Sequence, residues 1–103
     1  MTALLFSSAL LVLASVGPTI EQLDEGRFRV KVVFDDTSPR GNVAAQVALA
    51  RKAQAECRGK GMAVSEGTLA LNDAAPIRGN RKALELAEVY ICAEVWDQAN
   101  RRV

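Results

Sequence analysis

Two cysteines place the tightest constraint on what this chain can become. Cys57 falls near the end of the only long segment with a helical pattern, and Cys92 falls inside a segment with a strand pattern. A link between them requires helix and strand to pack face to face. Together with an apolar N-terminal run, the pair reads as a disulfide, as expected of a small domain in an oxidising compartment. Closing a loop of about 35 residues would stabilise the fold by roughly 3–4 kcal/mol in the chain-entropy account. The competing reading is a pair of buried, reduced thiols. The separation does not suit a redox CxxC, and two sulfurs without histidine do not complete a zinc site.

The helical segment runs SPRGNVAAQVALARKAQAECRGKG, from Ser38 to Gly61. At 100° per residue, Val43, Val47, Ala50, Ala53 and Cys57 fall on one side, and this stripe is expected to face a sheet. Ser38 followed by Pro39, or else Asn42, can cap the first turn. Gly59 and Gly61 suit the backbone that stops a helix.

Three strands are expected around it. RFRVKVVFD alternates, with Phe28, Val30, Val32 and Phe34 on one face and Arg27, Arg29, Lys31 and Asp35 mainly on the other. Asp24, Glu25 and Gly26 form the turn before it. MAVSEGTLALND reads as a second strand interrupted at Gly67, where a bulge would switch its faces. LELAEVYICAEVW is apolar on both sides, the mark of a central strand. Leu84, Leu86, Tyr90, Cys92 and Trp96 share one face, and Val89, Ile91 and Val95 lie on the other. The expected fold is α+β in two layers, β-α-β-β. One helix packs on a three-stranded, mainly antiparallel sheet of order 1-3-2, with a right-handed crossover through the helix.

Residues 1–17 read as a signal peptide and 18–103 as a single domain. Ala3 to Val16 is an apolar run of about fourteen residues, short for a membrane span but suited to a secretory signal. No Lys or Arg precedes it, and Pro18 disfavours cleavage after Gly17. The address implied is periplasmic or secreted, with no membrane span once the signal is removed. In layout and in its two cysteines the chain is similar to small exported bacterial proteins that carry one helix on a short sheet.

The composition narrows the chemistry. There is no histidine, which excludes Ser-His-Asp and Cys-His catalysis. Thirteen basic and twelve acidic residues, interspersed, give no nucleic-acid footprint. No nucleotide-binding or calcium-binding motif appears, so no cofactor or metal is expected. Asp35 and Asp36 read as turn and helix-dipole residues, since adjacent side chains on an extended chain point apart.

Two surfaces stand out. The face of the last strand away from the helix, with Val89, Ile91 and Val95, needs a cover and points to self-association or an envelope partner. The loop AAPIRGNRK carries Arg78, Arg81 and Lys82, whose donors suit an anionic small molecule or polymer. The expected function is therefore a non-catalytic, disulfide-stapled exported protein acting through protein–protein contact. The alternative is an anion-binding module using the basic loop.

Overall fold

The structure, a computed structural model, describes residues 17–24 and 26–94. The N-terminal apolar run through Val16, together with Val95, Trp96 and the polar tail, lies outside these residues.

One helix, α1 (Pro39–Glu56), packs on a five-stranded antiparallel sheet. The strands are β1 (Thr19–Asp24), β2 (Arg27–Phe34), β3 (Met62–Ser65), β4 (Ala70–Ala74) and β5 (Ala83–Ala93). The sheet order is β1-β2-β5-β3, with β4 also paired to β5. The class is α+β, and the doubly apolar last strand is central and antiparallel to its neighbours, as its pattern predicts. The expected count of three strands is corrected to five.

The two extra strands have separate causes. β1 was hidden because TIEQLD has little alternation and directly follows an apolar run. It pairs with β2 through a turn containing Gly26, with Ile20 opposite Val30 and Gln22 opposite Phe28. A register shift between Gln22 and Asp24 marks a bulge at Leu23. β3 and β4 are the two parts of the strand expected to be interrupted at Gly67. Ser65 pairs with Tyr90 and Ala70 with Ala87, so the edge takes two more residues than β5 over the same stretch. An even excess leaves the faces in phase. The expected switch of faces is thus corrected: Ala63, Ser65, Leu71 and Asp73 all lie on the helix side.

The helix starts where its capping residues predict. Ser38 Oγ accepts from the Gly41 amide at 3.2 Å, and Pro39 opens the first turn. Asp36 Oδ1 in turn accepts from the Ser38 amide at 3.1 Å and hydroxyl at 2.6 Å. At the other end the chain turns at Cys57–Lys60, with the Lys60 amide donating to Cys57 O at 2.8 Å. Gly61 has φ +114, and a Cβ there would overlap the Ala93 carbonyl, so only glycine lets the chain enter β3.

The buried face of α1 differs from the expected stripe. Gly41, Ala45, Leu49 and Ala53 face inward, followed by Cys57, whereas Val43 and Val47 are 59% and 42% exposed and Ala50 is exposed. Only Ala53 and Cys57 of the expected set are buried. Size decided this, because Gly41 and the two alanines let the helix lie close to the sheet. A Cβ on Gly41 would overlap the Asp36 carbonyl.

The core joins Phe28, Val30 and Val32 of β2, Leu86 and Tyr90 of β5, and Ala45, Leu49, Ala53 and Cys57. The rings of Phe28 and Tyr90 stack at 6.0 Å across the strand pair. Cys57 and Cys92 form a disulfide with their Cα atoms 5.4 Å apart. It pins the end of α1 to β5 opposite Ala63, which pairs with Cys92.

Candidate functional site

The basic loop meets the protein's own carboxylates. Arg78 donates through Nε and Nη2 to both oxygens of Asp35, at 2.9 and 2.7 Å. Arg81 Nη2 lies 3.5 Å from the Asp35 carbonyl, and Lys82 Nζ is 3.4 Å from Asp73. The bidentate hydrogen bonding from Arg78 holds the Asp35 carboxyl below its ordinary range. Asp36 is held low as well, by the two donors of Ser38. The neighbouring aspartates therefore serve different elements: Asp35 ties the β4–β5 loop to the end of β2, and Asp36 organises the start of α1.

On the sheet face away from α1, Val89 is buried and Ile91 is half-buried, while Val95 is outside the described residues. Arg29 sits directly opposite Val89 and Arg27 opposite Ile91. Stems of this length cover apolar neighbours while their charges reach solvent. Their charges are matched: Arg29 lies 2.9 Å from Glu21, Lys31 3.6 Å from the same Glu21, Arg27 3.1 Å from Asp24 and 3.3 Å from Glu66. These pairs hold Glu21 below its ordinary range, chiefly through the Arg29 hydrogen bond.

The sheet edge formed by β3 and β4 was not singled out from the sequence. In the gap between them the Glu66 amide donates to Val89 O at 2.9 Å, and Val89 N donates to Thr68 Oγ1 at 3.1 Å. The interruption is therefore satisfied toward β5, while among the described residues its outer side carries no strand partner. Met62, Leu69 and Leu71 on this edge are 46%, 50% and 49% exposed. Leu71 pairs with the core residue Leu86 and so lies on the helix side, yet it is open because α1 packs on β2, β5 and β3.

The end of α1 is tied to this edge. Gln54 reaches β3, donating to Gly61 O at 3.1 Å and accepting from the Ala63 amide at 3.0 Å. Val43 and Val47 lie two residues from the inward-facing Gly41, Ala45 and Leu49, on the opposite side of the helix, and so point away from the sheet.

A polar cluster lies at the break in this edge. Glu88 accepts from the Tyr90 hydroxyl at 3.1 Å and from the Ser65 hydroxyl, and Ser65 Oγ also accepts from the Gly67 amide at 2.9 Å. Burial, then the negative charge of Glu88, pushes the Tyr90 hydroxyl up to about 12. The cluster supplies a carboxylate and two hydroxyls that satisfy one another, which accounts for polar side chains at the break in the edge.

Two hollows flank the end of α1. One, of about 340 Å³, is lined by Gln22, Phe28, Glu56, Lys60, Cys92 and Glu94. The other, of about 380 Å³, is lined by Arg51, Gln54, Arg58, Gly59 and Gly61. Among the described residues no group of three or more acidic or cysteine side chains is placed to hold a metal. Comparison with family models, with curated proteins and with solved structures finds no match to this chain.

Proposed function

We propose that this chain is a non-catalytic protein that works by protein–protein contact outside the reducing cytoplasm, in the cell envelope or the extracellular space. The observation that carries this reading is the unguarded β3–β4 edge. Among the described residues its outer backbone has no strand partner, and Met62, Leu69 and Leu71 on it are exposed. An added strand would take main-chain hydrogen bonds from the edge and bury alternate side chains against Leu71. The disulfide supports the compartment, since such a bridge persists where thiols are oxidised. No described helix is long and apolar enough to cross a membrane.

The test is a photo-reactive residue placed singly at Leu71, on this edge, and at Thr19, on the opposite one, in cells that express the protein. The expected result is a discrete protein adduct from position 71 and none from position 19. Equal labelling at both, or none at either, overturns the reading. The anion-binding alternative has less support, because Arg78, Arg81 and Lys82 already have carboxylates or carbonyls within the chain.

A further inference from the structure

We propose that the outer face of α1 docks on an anionic lipid surface, with the sheet carried behind it and the β3–β4 edge left free at the side. This is a different face from the one in the contact reading above, and it stands or falls without it.

Basic and acidic residues are mixed along the chain, but the fold sorts them in space. On the sheet and its loops, Arg27, Arg29, Lys31, Arg78, Arg81 and Lys82 each have a carboxylate partner. The segment from Thr37 to Gly61 is different. It carries five basic residues, Arg40, Arg51, Lys52, Arg58 and Lys60, against the single acid Glu56. Among the described residues none of these five forms an ion pair. Glu56 is half-buried and accepts from Gln22 at 3.3 Å, so it does not neutralise the outer face.

The roll of α1 sets where these charges point. Its inward residues centre on Leu49. Arg40 and Arg58 stand nine residues to either side of Leu49, about 180° around the helix from it, and Arg51 and Val47 are within about 20° of the same outward line. All four are exposed, as are Val43, Ala44 and Ala55 beside them. The outward stripe therefore runs arginine, valine, arginine, arginine over about 27 Å and contains no acid.

A lipid surface is the occupant that this stripe fits. The face is a straight, convex ridge, and its charges are spread along it rather than gathered round one recess. Headgroups can rearrange to meet charges at any spacing, and each nearby arginine adds to the attraction of an anionic leaflet. Val43 and Val47 supply apolar contact at the headgroup boundary, while the arginine stems let their charges stay among phosphates. At the end of the ridge the hollow of about 380 Å³ lies between Arg51 and Arg58, with Gln54, Gly59 and Gly61 and no carboxylate. Two guanidinium groups there suit one headgroup phosphate.

The experiment uses the full chain with its disulfide intact, mixed with vesicles of phosphatidylcholine alone or of equal parts phosphatidylcholine and phosphatidylglycerol, and bound protein is measured by co-sedimentation. An apolar N-terminal run would add equally to both vesicle types, so the readout is the difference between them. The expected result is at least hundredfold tighter binding to the anionic vesicles, released by about 0.5 M salt. The triple variant Arg40→Gln, Arg51→Gln, Arg58→Gln should lose about a hundredfold of that difference, at about fivefold per charge. The variant Arg78→Gln, Arg81→Gln, Lys82→Gln removes the same charge from the basic loop and should lose less than about fivefold. Because the three helix arginines are exposed and unpaired, circular dichroism of the helix variant should match that of the parent. Equal binding to both vesicle types overturns the proposal, as does a helix variant that binds like the parent or a loop variant that loses as much. Displacement from the vesicles by an equal charge concentration of soluble polyglutamate would assign the face to an acidic protein and likewise overturn it.

Discussion

The two edges of the sheet are built on opposite terms. β1 is held by a hairpin, bulged at Leu23, and laced to β2 by ion pairs from Glu21 to Arg29 and Lys31 and from Asp24 to Arg27. Charges and a bulge of this kind are the usual defences of an exposed strand. The β3–β4 edge has neither lysine nor proline, exposes Leu69 and Leu71, and spends its irregularity in the middle, where Thr68 and Glu66 satisfy β5. Among the described residues both edges are paired on one side only, but β1 carries charged side chains that guard it and the β3–β4 edge exposes leucines. The difference separates residues that maintain the fold from residues that are available for contact.

The covalent link offers the strongest way to test that separation. Replacing both cysteines by serine should cost about 4 kcal/mol, from a loop of separation 35, and hydrogen exchange should rise first in β3 and at the end of α1. If β1 exchanges first instead, the bridge does not anchor the open edge. Next, Leu49→Ala should cost about 3 kcal/mol in chemical denaturation because Leu49 is fully buried, while Val47→Ala should change folding stability by less than about 0.5 kcal/mol. Equal losses would mean that the valine wall belongs to the core. Gly41→Ala should cost about 2 kcal/mol by forcing Asp36 away from the helix start, without affecting the β1 hairpin.

Alkaline titration reports on the break in the edge. Tyr90 is the only tyrosine, so its absorbance change should centre near pH 12 rather than 10. A hydroxyl whose folded value is raised contributes stability that is complete below about pH 10 and is lost as pH climbs toward 12. A midpoint near 10 would show that the Ser65–Glu88–Tyr90 cluster is open to water. The smallest effect is expected at the guarded edge. Glu21 is held low by Arg29, so its contribution is present above its ordinary value and lost as pH falls through the depressed one. Glu21→Gln should remove that acid dependence and leave the neutral-pH melting temperature nearly unchanged, since exposed pairs contribute little. A large drop in melting temperature would mean that β1 depends on its charges for folding.

Most of the architecture was legible because it rests on local periodicity. Alternation marked β2, two-sided apolar character marked β5 as central, and Ser38-Pro39 marked where α1 begins. The inward face of α1 was not legible. Hydropathy favours Val43 and Val47, but close approach to a sheet favours Gly41, Ala45 and Ala53. The candidate edge escaped for a related reason, since β3 and β4 form one edge only by pairing side by side with β5.

By itself, then, the sequence determined the helix, the strand character of β2 and β5, the central place of β5 and the cysteines able to join helix to sheet. Each follows from the spacing of side chains along a single element. Only the tertiary structure decided which way α1 is rolled and that it leaves β4 uncovered. It also decided that the loop arginines turn back onto Asp35. Those outcomes depend on how surfaces from distant segments fit together, and steric fit between elements is not written in the periodicity of either one.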